Sequence, residues 1–128
     1  MEELLGKADF LSLHCPLTEA NTGLVDESFL AKMKSSAFLI NTARGALIQT
    51  DALLGALDQG LIQGAAIDVL TKEPAELDEP LLARQRPNLI VTPHNAWGAS
   101  ESRARLIDQL CENITAWQAG SPIRWVNP

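Results

Sequence analysis

Short apolar runs alternate along this chain with segments whose apolar residues recur at helical spacing, the order that builds successive strand–helix units around a parallel sheet. Phe10-Leu11-Ser12-Leu13-His14 reads as a strand ended by Pro16. Asp26 is placed to cap a helix whose Phe29, Leu30 and Met33 make an apolar stripe, with Lys32 and Lys34 suited to its C-terminal end. Ala37-Phe38-Leu39-Ile40-Asn41 is the next strand. Thr50 is the expected N-cap of a helix through Leu53, Leu54 and Leu57, with Gly60 as its left-handed stop. Gly64-Ala65-Ala66-Ile67-Asp68-Val69 is a third strand whose small residues would let a helix pack close, and residues 71–87 form a longer connection to a fourth, Asn88-Leu89-Ile90-Val91. The longest helix runs from Ser100 to about Ala119, with Leu106, Ile107, Leu110, Ile114 and Trp117 spaced for one buried face. The fold class expected is therefore α/β, with about four parallel strands, flanking helices and a long C-terminal helix.

Composition narrows the partners. At 128 residues the chain is one domain or part of one, long enough to bury roughly two-thirds of its unfolded surface. A formal charge of -6 argues against nucleic acid or an anionic membrane, which carry the same sign. Cys15 and Cys111 have neither the number nor the spacing of a disulfide framework or a zinc site, so reduced thiols and no metal are expected. The start, Met1-Glu2-Glu3-Leu4-Leu5-Gly6, lacks a basic or apolar leader and no stretch approaches a membrane span, from which a cytoplasmic location is expected.

Candidate chemistry gathers where strands end, because the carboxyl ends of parallel strands face the ligand crevice of an open α/β sheet. Asn41-Thr42-Ala43-Arg44-Gly45, Asp68-Val69-Leu70-Thr71-Lys72-Glu73-Pro74 and Thr92-Pro93-His94-Asn95-Ala96-Trp97-Gly98 put one Arg, one Glu and one His on three successive strand-to-loop junctions. Arg44, in a tight turn that Gly45 permits, can grip the carboxylate of an anionic substrate through two parallel hydrogen bonds. His94, stiffened by Pro93, can give a proton to a bound substrate or take one from it. Glu73 could hydrogen-bond the far ring nitrogen and favour the protonated imidazole, which couples the two titrations. The alternatives are a surface Arg paired with an acid and a solvated Glu in a polar loop. Asp68 ends a strand of small apolar residues, a costly place for a carboxylate unless it meets a donor. A loop cap bonded to backbone amides is one way to meet it.

These three segments, preceded by Ala8-Asp9-Phe10-Leu11-Ser12-Leu13-His14-Cys15-Pro16-Leu17-Thr18, resemble the D-isomer-specific 2-hydroxyacid dehydrogenases over essentially the whole chain. Thr92-Pro93-His94-Asn95-Ala96-Trp97-Gly98 is most similar to the glycerate dehydrogenase (hydroxypyruvate reductase) subgroup. The resemblance implies hydride transfer between NAD or NADP and a 2-keto/2-hydroxy acid, with hydroxypyruvate/D-glycerate preferred and Arg44, Glu73 and His94 as the catalytic set. It places Asp68 on the nicotinamide carboxamide, and His14, Cys15, Pro16, Thr42, Ala43, Arg44, His94 and Gly98 along the cofactor. It adds Trp97 to Arg44 and His94 as the substrate pocket. For His14 a satisfied strand-end histidine is the alternative, and for Gly98 the entry turn of the long helix.

No Gly-x-Gly occurs, so the phosphate-binding fingerprint of a dinucleotide fold is absent. By the same resemblance, residues 1–119 are the C-terminal half of a Rossmann-type sheet and residues 120–128 a tail that would return to a substrate domain. An open strand edge beside Phe10–Leu13 and poorly covered Trp117, Ile123, Trp125 and Val126 are then expected. So is little or no turnover by the isolated chain, and homodimerisation or association with a missing N-terminal part. A reading from another class is a non-catalytic remnant or interaction module, corepressor-like or partnered with a full-length relative.

Overall fold

Four short strands, β1 (Phe10–Leu13), β2 (Phe38–Asn41), β3 (Gly64–Ile67) and β4 (Leu89–Val91), lie side by side in chain order and all run parallel. Register aligns Phe10 with Phe38 and Phe38 with Gly64, while Ala65 faces Leu89. This is a computed structural model, and it describes residues 1–126. The chain divides into two units, Met1–His94 and the residues from Asn95 onward.

Alternation along the strands sends Leu11, Leu13, Leu39, Ala65 and Ile67 to one face, where they are buried. Two helices supply the other side of that core, α2 (Glu27–Ala31) with Phe29 and Leu30, and α3 (Thr50–Asp58) with Ala52, Leu53, Ala56 and Leu57. Asp26 caps α2 as its sequence position requires, its side chain accepting from the Phe29 amide at 2.8 Å. Lys32 and Lys34 do not serve the end of α2 alone. They pair with Glu2 at 2.7 Å and Asp9 at 2.9 Å, tying the preceding segment down.

Three expectations change or are extended. The N-cap of α3 is Gln49, with Thr50 already helical and no side-chain cap bond formed, because the incoming backbone is fixed by the Val25–Ile48 bridge just before it. Gly60 does stop that helix region, at φ +67. At Gly64 of β3 the missing side chain makes room for a neighbouring strand's ring. A β-carbon on Gly64 would lie 3.0 Å from the Phe38 ring and 2.9 Å from the Asn88 carbonyl. The structure also adds a first helix, α1 (Glu2–Lys7), which charged residues conceal in the sequence and which buries only Leu5.

The opposite face of the sheet carries Phe10, Phe38 and Ile90, all exposed, with the two phenyl rings stacked at a centroid distance of 5.5 Å. β1 pairs with β2 alone among the described residues, leaving the expected open edge. Within the second unit, α4 (Ser100–Gln118) forms over the predicted span, but its stripe of Leu106, Ile107, Leu110, Ile114 and Trp117 is exposed. Periodicity reports that a helix has an apolar face, and burial requires a second layer to meet it. Ile123, Trp125 and Val126 are likewise exposed, and the last two residues of the predicted tail lie outside the described residues.

The two leucine environments give a direct contrast. Leu53→Ala, at a fully buried site, is expected to cost about 2–5 kcal/mol by urea unfolding followed by circular dichroism. Leu110→Ala, on the exposed stripe, should change stability by no more than about 0.5 kcal/mol.

Candidate active site at the carboxyl rim

The sheet ladder continues beyond the strands and holds the junctions themselves. The Asp68 amide donates to the Asn41 carbonyl and the Thr92 amide to the Ile67 carbonyl, both at 2.9 Å. Residues following β2, β3 and β4 are therefore brought to one rim by backbone pairing before any side chain contributes.

Glu73 and His94 meet on that rim. Glu73 Oε2 lies 2.6 Å from His94 Nδ1, while Glu73 Oε1 accepts the Leu70 amide at 2.7 Å. The Leu70 amide first, and the His94 contact second, hold the Glu73 carboxyl below its ordinary 4.5, against a smaller opposing effect from Asp68. His94 sits at φ 52, a left-handed backbone that costs a residue other than glycine about 1–3 kcal/mol and is tolerated better by histidine than by most. Its amide closes a tight turn onto the Thr92 carbonyl at 3.0 Å, so the ring's direction is set by the Thr92-Pro93-His94 backbone.

Asp68 is 4% exposed, and the Thr92 hydroxyl donates to its Oδ1 at 2.5 Å. The donor demanded by a carboxylate at that depth is thus a side chain from the next junction. Asp68, Leu70, Glu73, Pro74, Thr92 and His94 border a cavity of about 410 Å³. An apolar cavity edged by a buried carboxylate and a carboxylate–imidazole pair is the kind of site a small polar ligand occupies.

The other predicted residues are placed as follows. Arg44 is on the β2 junction, exposed, with Nη1 donating to the Ala43 carbonyl at 2.6 Å, and it does not border the cavity. Thr42 is exposed and Ala43 half-buried, its amide donating to Asn41 Oδ1 at 3.0 Å. His14, Cys15 and Pro16 follow β1. His14 is exposed, Cys15 half-buried, and the Pro16 carbonyl accepts from Asn21 Nδ2 at 2.8 Å. Trp97 and Gly98 belong to the second unit, where Trp97 is exposed and the Gly98 amide donates to the Asn95 carbonyl at 2.9 Å.

Three contributors were not singled out by sequence reasoning. Asn41 is fully buried and spends its whole amide on the Arg44 turn, with Nδ2 donating to the Arg44 carbonyl at 2.9 Å and Oδ1 accepting the Ala43 amide. An Asn at a strand end before a turn is a readable signal for this motif. Thr92 is similarly readable as a polar residue at a strand end. The Leu70 amide leaves no trace in residue type.

Comparison with known proteins shows the family. A profile of the D-isomer specific 2-hydroxyacid dehydrogenase, NAD binding domain, matches residues 1–96. A glycerate dehydrogenase from Methylorubrum extorquens is 46% identical over 122 residues, covering 95% of this chain and 39% of that protein. A glyoxylate reductase from Korarchaeum cryptofilum is 41% identical over 120 residues, covering 94% of this chain and 36% of its own. Among solved structures, a D-isomer specific 2-hydroxyacid dehydrogenase from Lactobacillus delbrueckii ssp. bulgaricus in NAD-complexed form superposes with a TM-score of 0.85 at 32% identity, over 99% of this chain and 42% of that one. An acyclic imino acid reductase in complex with NADPH and D-Arg has the same TM-score at 36% identity, over 98% of this chain and 39% of that one. The chain thus spans well under half the length of the relatives it matches. With its all-parallel α/β sheet and its carboxyl-rim carboxylates and imidazole, this chain belongs to the D-isomer-specific 2-hydroxyacid dehydrogenase family and carries sequence of its NAD-binding domain.

Proposed function

We propose that this chain supplies the proton-transfer half of an oxidoreductase active site that interconverts a 2-keto acid and a D-2-hydroxy acid with NAD(H) or NADP(H). The observation that carries this reading is the 2.6 Å contact between Glu73 and His94 at the rim of the cavity. With Nδ1 turned to the carboxylate, proton transfer is assigned to Nε2, the opposite ring nitrogen. In the reducing direction that proton goes to the substrate carbonyl oxygen, and in the oxidising direction His94 takes it from the hydroxyl. Glu73 keeps the ring in one orientation and stabilises positive charge on it.

The nicotinamide, when bound, supplies or accepts the hydride. Its fit to this chain rests on Asp68, a buried carboxylate beside the cavity whose chemistry suits the N–H donors of a carboxamide. His14, Cys15, Pro16, Thr42, Ala43 and Gly98 are the further residues we assign to that end of the cofactor. Arg44 is assigned to the substrate carboxylate, its charge held on the turn that Asn41 builds. Arg44 bonds to the Ala43 carbonyl, so reaching substrate requires that side chain to turn.

Hydroxypyruvate/D-glycerate is the substrate pair we favour, supported by the Trp97-containing segment and by the glycerate dehydrogenase relative. Glyoxylate is the nearest competitor, given the glyoxylate reductase relative. We assign residues 1–119 to a partial dinucleotide-binding domain and residues 120–128 to a tail reaching toward a substrate domain. The absence of a Gly-x-Gly from this sequence supports little turnover by the 128 residues alone. Activity is expected where an N-terminal portion completes the site, in cis or as a partner, and homodimerisation of the completed protein is part of the same reading. Among the described residues no helix is long and apolar enough to cross a membrane. A cytoplasmic location is proposed from membership of a nicotinamide-dependent dehydrogenase family.

His94→Ala in the completed protein should leave nicotinamide-cofactor affinity nearly unchanged while lowering kcat by roughly two or more orders of magnitude, read by cofactor titration and steady-state reduction of hydroxypyruvate. A variant retaining near wild-type kcat would remove the proposed acid–base role. Arg44→Ala should act mainly on the keto acid, raising its KM by roughly tenfold or more with little change in cofactor affinity. Equal losses for cofactor and substrate would contradict that assignment.

A further inference from the structure

The two turns that carry Arg44 and Glu73 touch through backbone alone. A β-carbon placed on Gly45 would lie 2.0 Å from the Leu70 carbonyl carbon, 2.2 Å from its oxygen and 2.4 Å from the Thr71 nitrogen. No flexible side-chain end is involved, so any residue larger than glycine must push the Leu70–Thr71 peptide bodily away. Gly45 is not among the glycines with positive φ, which are Gly23, Gly60 and Gly120. Its smallness is therefore required by contact, and the turn itself could be made by other residues.

The displaced peptide would belong to the residue whose amide holds Glu73. Leu70 N–H donates to Glu73 Oε1 at 2.7 Å, and Glu73 Oε2 lies 2.6 Å from His94 Nδ1. Glu73 stands in a connection without regular structure, with its side chain 35% exposed. Without an anchor it would sample several rotamers, and ordering such a side chain costs entropy. The Leu70 amide is that anchor, and it is joined through the Leu70 α-carbon to the Leu70–Thr71 peptide that Gly45 abuts, so a shift of that peptide turns the anchor with it. On the other side, Asn41 clamps the Arg44 turn through both ends of its amide. A continuous path thus runs from the buried Asn41 through Gly45 and the Leu70–Thr71 peptide to Glu73 and His94.

We propose that Gly45 and the Leu70–Thr71 peptide form one positioning unit, which couples the turn bearing Arg44 to the turn bearing Glu73 and keeps the Glu73 carboxylate on His94. Neither residue touches the reacting atoms; the proposal deepens the dehydrogenase reading and rests on it for its catalytic consequence. The charged groups facing Glu73 are His94 and Asp68, whereas the neighbouring Lys72 pairs with Glu76.

The test reads the Glu73 carboxyl directly, by ¹³C-detected NMR titration of this 128-residue chain. In the unaltered chain its midpoint is expected below the ordinary carboxylate value, lowered first by the Leu70 amide and then by His94. Gly45→Ala should move it upward toward the ordinary value, as should replacement of the Leu70 amide by the isosteric ester, which deletes the N–H without adding bulk. Gly55→Ala, where an added β-carbon meets only the Gln59 side chain at 3.7 Å, should leave it in place. In the completed protein the ester is expected to lower kcat roughly tenfold, the usual scale for losing one hydrogen bond to a charged group, with cofactor affinity unchanged. A folded Gly45→Ala chain with an unmoved Glu73 midpoint overturns the proposal. If Gly45→Ala does not fold, an ester variant with native amide shifts and an unmoved midpoint overturns it equally. An unaltered completed protein that fails to reduce any 2-keto acid sinks the dehydrogenase reading instead, and the titration still decides the positioning role.

Discussion

The parallel ladder running from β1 to β4 is the constraint on which the rest depends. Each strand is only three or four residues long, yet the pairing extends past the strands to Asp68 on Asn41 and Thr92 on Ile67. Parallel pairing sets every strand's carboxyl end at the same rim, so residues distant in sequence become neighbours without any attraction between their side chains. Only then do short contacts such as Glu73 with His94 and Thr92 with Asp68 become possible. A one-residue slip of β4 would turn its side chains to the opposite face and part both pairs.

The long connection between β3 and β4 is the weak place in such a scheme, since it carries Glu73 but has no helix or strand of its own. It is tied down at several points instead. Leu81 is buried in the core, Arg84 and Arg86 converge on Asp58 at the end of α3, and the Asn88 side chain donates to the Leu57 carbonyl at 3.0 Å. The two guanidinium groups, Arg86 foremost, hold the Asp58 carboxyl below its usual range. Exposed ion pairs of this kind contribute little each to stability. Their value here is in fixing the path of a loop whose far end must present a carboxylate at the rim.

Apolar surface is distributed unevenly. One face of the sheet is packed by α2 and α3, whereas Phe10, Phe38 and Ile90 on the other face, and the stripe along α4, remain exposed. Parallel sheets are ordinarily covered on both faces. Together with coverage of well under half of the related proteins, this surface accounts for why the chemistry of the rim is proposed for a completed protein and not for these residues alone.

Residue pattern by itself determined the order of elements, the parallel α/β class, the Asp26 cap, the Gly60 stop and the pairing of Glu73 with His94, because these follow from local periodicity, capping chemistry and side-chain type. It misplaced the cap of α3, just after the Val25–Ile48 bridge, and passed over α1, which is held to the core by the buried Leu5. It read Gly45 as permitting a tight turn, and the structure shows a requirement beyond that. The requirement is a backbone of another loop pressed against its α-carbon, and no arrangement of neighbours along the chain encodes that. Likewise the Leu70 amide on Glu73, the Thr92 hydroxyl on Asp68 and the exposure of the α4 stripe were decided only by tertiary structure, since each depends on which groups approach from elements far away in sequence.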